Sequence, residues 1–458
     1  MSEMVAVVGS GPIGSYAALK MLRAGYAVTM FDIGHTIDTK IAASDIPPWG
    51  LKPIFGSYFP YDLNKFVRQE ETGFRTFPSK GHLGFSTVWG ATWDLSRNSN
   101  DPEFNSVLSE ITEDIRKSPV EMESIGRETY IFNQQNLCDC LKVNFAKIGT
   151  ADRNSKIRVV QTDLLISQKR CAGTGNCQMG CSTKAIWSSE EIFNACKQYS
   201  KFEYIPGYFV NKIRQQDKDW FLENELALKM SGFTKIFLCG GPIGNIGILS
   251  RSGLATQVEF QETRMRYLFF INLKATKRHK SDFALSLFSM DLRDSQNKER
   301  HIQFYAHLYR SLARLIPHKR VLWLQKLISL LLKTIRHRLI VGLEYLDTEY
   351  SGKLSASMNE NGLLSISIGK ANLKPHWLRE YFRIILKTGL IPIFLVKKQP
   401  GESYHLGASN LQLTEHKEML NAPGCYVLGT LSIIRIHPGP ATSYALYDIA
   451  KHWKKWII

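Results

Sequence analysis

The chain has 458 residues, of which 44% are hydrophobic, and this length predicts two or three domains or one large body with two lobes. Its 58 lysine and arginine residues against 41 acidic residues give a net charge of +17, which favours anionic partners. No recognisable nucleic-acid-binding module accompanies this charge, so we expect no nucleic acid partner; a phosphorylated substrate, an anionic membrane face or a simply basic surface stay open.

The cellular compartment is predicted from two signals that we do not find in the sequence. The strand-like run that begins at Val5 leaves no room for a secretory signal. No run of about 18 uncharged apolar residues is found that would span a membrane. We therefore expect a cytoplasmic protein, and its eight cysteines should be thiols because that compartment is reducing.

The N-terminal segment carries a nucleotide-binding fingerprint. An apolar run at 5–8 enters a glycine-rich turn, which opens a helix-like stretch and a second apolar run ending on Asp32. The three glycines suit a tight turn, a close approach to a pyrophosphate and close helix–strand packing. The helix N-terminus attracts the anion, and Asp32 stands 18 residues after Gly14, where a ribose-binding carboxylate belongs. We predict dinucleotide contacts from Gly9, Gly11, Pro12, Ile13, Gly14 and Asp32.

The rest of the chain changes character along its length. Residues 36–80 are broken by prolines, residues 203–240 are strand-like, and 235–244 resembles a second buried strand entering a glycine turn. Strand-like runs continue beyond it, and 359–362 is a strong hairpin signal. We predict an α/β protein whose Rossmann-like domain is discontinuous and whose second α+β lobe is built on an antiparallel sheet. The predicted boundaries are 1–254 plus 401–458 for the first domain and 255–400 for the second lobe.

Four motifs then follow one another in order: the turn at 9–14, the segment 81–91, the strand and helix at 237–253, and the C-terminal segments at 403–407 and 436–442. This order resembles the glucose–methanol–choline (GMC) flavoprotein oxidoreductases, over the first domain and both ends of the chain. The resemblance implies bound FAD and the oxidation of a CH–OH group.

The stretch 86–89 is similar to the flavin-facing loop of the pyranose-oxidase branch of that family. In that branch the third position is a histidine joined covalently to the flavin, whereas Val88 stands here, so the resemblance implies non-covalent FAD. A tight structural loop around a buried tryptophan is the alternative. A glycine-rich turn at 427–430 replaces the family's acidic turn, as in the same branch. The implied cofactor contacts are Ser86, Thr87, Val88, Trp89, Val210, Gly240, Gly429, Thr430 and Pro438.

The resemblance also implies a catalytic pair near the C-terminus: His405, shortly before Gly407, and His437, before Pro438. A neutral imidazole, with an ordinary pKa of about 6.5, can take a hydroxyl proton near neutrality. A positioned base contributes roughly 10²–10⁴-fold. We predict His405 as the base and His437 as the partner of the alkoxide, although the two roles could be exchanged and a structural role is the alternative. The weaker candidates are His301, His307 and His416.

A cysteine-rich loop contains Cys171, Cys177 and Cys181, with Cys138 and Cys140 upstream. Zinc and iron–sulfur sites usually take four ligands with tight pair spacing, and this pattern does not fit them. We expect a structural loop near the flavin and no metal site.

A basic amphipathic segment spans 310–338, and residues 452–458 have a similar character. Such a helix can lie on an anionic membrane or pack on the second sheet. Peripheral contact with the inner membrane face therefore stays open, and it would suit a substrate of polysaccharide assembly.

The sequence thus predicts an FAD-dependent oxidoreductase that oxidises a CH–OH group of a sugar or sugar-like alcohol, with an unidentified electron acceptor. A flavin-dependent desaturase is one alternative, and the histidine pair argues against it. The other is a non-catalytic flavoprotein or membrane-surface scaffold in a glycan or lipid biosynthetic assembly.

Overall fold

The structure is a computed structural model. It describes residues 3–34, 67–68, 73–74, 76, 79, 81–93, 102–116, 157–162, 164–167, 170–173, 177, 181, 183–273, 284–293, 298–306, 338–360, 362–370, 385–386, 390–403, 405–408, 410–433 and 438–457. Several sequence predictions lie outside these ranges: the basic segment up to residue 337, Cys138, Cys140, His307 and His437.

The strands in chain order are β1 (Met4–Val8), β2 (Ala27–Phe31), β3 (Val67–Arg68), β4 (Ile157–Gln161), β5 (Phe202–Ile205), β6 (Val210–Gln216), β7 (Asp219–Asn224), β8 (Lys229–Phe233), β9 (Lys235–Leu238), β10 (Gln257–Glu262), β11 (Met265–Asn272), β12 (Ser286–Arg293), β13 (Glu299–Ala306), β14 (Leu339–Leu346), β15 (Leu354–Met358), β16 (Leu364–Ile368), β17 (Leu390–Lys397), β18 (Leu406–Ala408), β19 (Glu418–Met419) and β20 (Ala422–Val427). The helices are α1 (Pro12–Arg23), α2 (Pro102–Arg116), α3 (Glu190–Cys196), α4 (Gly241–Arg251) and α5 (Ala441–His452).

A mixed sheet with the order β19–β20–β9–β1–β2–β5 carries the N-terminal fingerprint. All neighbours are parallel except β19 and β20 at one edge. β1 is buried over most of its length, as expected for a parallel strand covered on both faces. Because β1, β2 and β9 are parallel, their carboxyl ends meet at one edge of the sheet, where α1 and α4 begin.

The start and end of α1 follow from its sequence. Pro12 takes the first helical position, where its missing N–H costs nothing and its fixed φ suits the helix. Gly25, with φ +94°, lets the chain turn away after the helix. Lys20 is buried on α1 but lies between Glu110 and Asp114 of α2, so its charge is paired.

The predicted second lobe is distributed over two sheets. An antiparallel sheet has the order β17–β11–β14–β13–β12–β4, and β4 comes from the segment predicted to belong to the first domain. A five-stranded sheet, β18–β10–β15–β16–β3, joins strands from both predicted domains. Its alternating buried residues, such as Val258 and Phe260, share a core with Val8 and Phe31 of the first sheet. The predicted domain boundaries stay a prediction.

The remaining strands β6, β7 and β8 form an antiparallel meander between β5 and β9. Within the described ranges, none of the helices has the length and apolar content needed to cross a bilayer.

Candidate functional site

A cavity of about 310 Å³ opens over the carboxyl ends of β1, β2 and β9. This is where open α/β sheets bind their ligands. The predicted contacts that line it are Gly9, Gly11, Pro12, Ile13, Asp32, Ser86, Trp89, Val210 and Gly240.

The three glycines of the N-terminal turn differ in what a side chain would meet. At Gly9, with φ +103°, a Cβ would lie 2.7 Å from the Cys239 carbonyl oxygen, and at Gly14 it would lie 1.9 Å from the Gly9 carbonyl oxygen. At Gly11 the nearest atom would be the Leu83 carbonyl oxygen at 4.0 Å, so this glycine leaves open space on the cavity. The N-cap residue of α1 is Gly11, which has no side chain to cap the helix. The turn therefore has both the room and the backbone N–H groups that a pyrophosphate needs.

Asp32 lies at the end of β2 within a small polar network. Ser10 donates its hydroxyl to Asp32 and accepts the Leu83 N–H at 2.8 Å. His82 Nδ1 lies 2.9 Å from the Tyr204 hydroxyl and 3.9 Å from Asp32 Oδ2. The carboxylate is thus fixed at the cavity wall, with the loop that follows residue 80 attached to it.

The loop predicted to face the flavin contains a 3₁₀-helix at Gly84–Thr87. Ser86 and Trp89 line the cavity, whereas Thr87 and Val88 do not, and Val88 is buried. Trp89 also donates its indole N–H to the Trp187 carbonyl at 2.8 Å, so the loop has a structural function as well.

Four other predicted contacts lie outside the cavity lining. Gly14 is used for helix–strand packing, and Pro438 is buried. Gly429, with φ +91°, packs beside Ile13, which does line the cavity, and Thr430 begins a 3₁₀-helix after it. Gly14 and Gly429 thus border the site rather than form its surface.

Arg251 lines the cavity and was not singled out from the sequence as a contact. Its Nε donates to the Asn211 carbonyl at 2.8 Å, and its guanidinium lies 5.9 Å from the Phe209 ring centroid. It is the single cation among the described lining residues. The motif at 237–253 contained Arg251, but only the packing of α4 shows which side of that helix faces the cavity. Other lining residues that were not predicted include Ser10, Tyr208, Phe209, Leu406 and Thr442.

His405 directly precedes Leu406 and lies at the junction with the antiparallel sheet. Its ring stacks on Tyr345, with centroids 5.0 Å apart and planes at 10°. The ring is partly buried, but its Nδ1 is closed off from solvent and has no hydrogen-bond partner among the described residues. The pKa of His405 is lowered to about 4, mainly by burial and to a smaller extent by the neighbouring His301.

His301 is fully buried beside this pair. Its Nδ1 lies 2.8 Å from Asp291 Oδ1, and its Nε2 lies 3.2 Å from the amide nitrogen of Gln303. Tyr305 donates its hydroxyl to Gln303 Oε1 at 2.6 Å. These contacts join Asp291, His301, Gln303 and Tyr305 in one hydrogen-bonded chain. Gly439 packs on the same ring, so the described part of the C-terminal segment reaches this cluster.

His416 lies in a different environment, against α5, with its Nδ1 3.4 Å from the Nδ1 of His452. Of the described candidates, His405 and His301 are therefore brought together, and His416 is not. His437 lies outside the described residues, so the predicted pair stays a prediction.

The lowered pKa of His405 gives a pH prediction. Because His405 is neutral above pH of about 4, a base function predicts that kcat/KM falls only as the pH drops through about 4. A free imidazole would produce this fall near 6.5. The measurement is kcat/KM for a non-ionising alcohol against pH, and an acid limb centred near 6.5 would contradict the assignment.

The loop cysteines Cys171, Cys177 and Cys181 are in no disulfide bond, and each is partly buried. Burial raises the pKa of Cys177 to about 11, which keeps it protonated at neutral pH. No group of three or more ligand side chains within the described part of the chain has a geometry that could hold a metal ion.

No family model matches the chain, and no curated protein matches its sequence. Among solved structures, pyridoxine 4-oxidase from Mesorbium loti aligns with 99% of this chain and 99% of its own, with a TM-score of 0.62 and 12% identity. At this identity the likeness concerns the fold alone. The chain therefore shares the fold of this oxidase, and the comparison does not extend to the pyranose-oxidase branch.

Proposed function

We propose that the chain is an FAD-dependent oxidoreductase that oxidises the CH–OH group of a sugar or sugar-like alcohol. The observation that carries this proposal is the cavity itself: the open glycine turn of α1 forms one part of its wall, and Leu406, next to His405, forms another. The fold shared with pyridoxine 4-oxidase supports the same assignment. Membership of the pyranose-oxidase branch and contact with a membrane stay predictions from the sequence.

The residues present fit FAD. The N-terminus of α1 would hold the pyrophosphate, Asp32 would bind a ribose hydroxyl, and Arg251 supplies a positive charge. Val88 cannot form a covalent link, so binding would be non-covalent. When bound, FAD accepts the hydride that leaves the alcohol carbon.

His405 is proposed as the base that takes the hydroxyl proton. Its neutral imidazole can accept one, and its stacking on Tyr345 limits the orientations of the ring. Because Nδ1 is closed off from solvent, the other ring nitrogen, Nε2, is the one proposed to accept the proton. His437 is proposed as the donor that stabilises the alkoxide.

The experiment is a visible absorption spectrum of the purified protein, followed by anaerobic titration with D-glucose, pyridoxine and benzyl alcohol. We expect flavin absorption that one of these alcohols bleaches. A colourless protein that does not take up added FAD would refute the proposal. Bound flavin that no alcohol reduces would favour the scaffold or desaturase alternatives instead.

A further inference from the structure

A buried carboxylate outside the cavity lining is linked to the turn that carries His405. Glu262 is the last residue of β10 and is fully buried. β10 pairs with β18 immediately after His405, with Glu262 opposite Leu406. The next residue, Thr263, donates its N–H to the His405 carbonyl at 3.2 Å. The strand end and the histidine are thus joined through the backbone.

The side chain of Glu262 adds a second connection. Its Oε2 accepts the Gly401 N–H at 2.7 Å and the Ser403 hydroxyl at 3.2 Å. The Ser403 oxygen in turn accepts the His405 N–H at 3.3 Å. Gly401 has φ +90°, a conformation that glycine adopts without strain. One carboxylate oxygen is therefore linked directly to Gly401 and Ser403, and through Ser403 to the His405 N–H.

Burial of this carboxylate is costly unless hydrogen bonds and an opposite charge compensate for the lost hydration. Its other oxygen, Oε1, has no hydrogen-bond partner among the described residues, and Arg264 Nε lies 3.8 Å away. The Gly401 N–H and the Ser403 hydroxyl both donate to the same oxygen, Oε2. Because Oε2 accepts from the turn while only Oε1 faces Arg264, the contacts of Oε2 favour a role in fixing the turn.

We propose that Glu262 is a positioning residue for His405, acting through Ser403 and the Gly401 N–H, and this inference rests on the function proposed above. Glu262 holds the backbone of the turn, and Tyr345 holds the ring. A misplacement of about 1 Å can cost about 10²-fold in rate. Loss of the carboxylate should therefore lower the rate of flavin reduction without weakening FAD binding.

The test compares Glu262→Ala and Glu262→Gln with Glu259→Gln, a control on the exposed face of the same strand. Deuterium uptake of the peptide 399–407 measures the turn directly, and anaerobic flavin reduction by the most effective alcohol of the panel above measures the chemistry. For Glu262→Ala we expect increased uptake and a reduction rate about 10²-fold lower at saturating alcohol, with FAD content and KM unchanged. Glu262→Gln should bring both the deuterium uptake and the reduction rate close to the wild-type values, because one amide oxygen can accept both hydrogen bonds. Glu259→Gln should change neither the uptake nor the rate.

Unchanged uptake in Glu262→Ala, or an unchanged rate while His405→Ala collapses, would overturn the inference. If no alcohol reduces the wild-type flavin, the proposed function fails, and the uptake measurement still decides whether Glu262 holds the turn. If Glu262→Ala does not fold, Ser403→Ala removes the link to the His405 N–H, and it should give the same changes on a smaller scale.

Discussion

His405→Ala is expected to lower the rate constant for flavin reduction by alcohol about 10²–10⁴-fold, the range that a positioned general base contributes. FAD should stay bound, because His405 does not line the cavity and its side chain contacts Tyr345. The measurement is single-turnover flavin reduction under anaerobic conditions, with the FAD content of each variant determined first.

His416→Ala is the matched control for this change, because His416 contacts His452 and lies away from the cavity lining. Its reduction rate should equal that of the wild type. A His405→Ala variant that keeps the wild-type rate would show that the proton goes elsewhere, and His301 beside it would be the next residue to replace.

Two single-methyl changes in the N-terminal turn should have large and different effects. In Gly14→Ala the added Cβ meets the Gly9 carbonyl oxygen at 1.9 Å, so helix and strand must separate. We expect the free energy of unfolding to fall by roughly 3 kcal/mol or more, which is at or above the upper end of the range for overpacked cores. In Gly11→Ala the nearest atom is at 4.0 Å, so the fold should be kept.

Gly11→Ala should instead weaken FAD binding, because the methyl group would occupy the space proposed for the pyrophosphate. One charge-assisted hydrogen bond is worth about 1.5–3 kcal/mol, or roughly 10–100-fold in Kd. Thermal unfolding of the apoprotein and FAD titration separate the two effects. Equal FAD affinity in Gly11→Ala and the wild type would place the pyrophosphate away from this turn.

The local part of the fold could be predicted from the sequence. The strand, glycine turn and helix at the N-terminus have short-range signals, namely apolar runs, Gly9 and Pro12, and the structure has them where they were expected. The same is true of the β15–β16 hairpin, whose turn has Gly362 at φ +72°. Such features depend on backbone preferences within a few residues.

Long-range pairing could not be predicted in the same way. The strand β4 pairs with β12, more than a hundred residues later, and nothing in its own sequence selects that partner. The same applies to the site: Asp291, His301 and Tyr345 stand side by side only through the register of three strands. Glu262 gave no motif signal, because its partners lie in a turn far along the chain.

The most direct test of the account is a crystal structure of the purified protein with FAD. We predict FAD in the cavity over β1, β2 and β9, its pyrophosphate at the N-terminus of α1 and its flavin ring within reach of His405. FAD bound at another place, or a flavin ring remote from His405, would contradict the account.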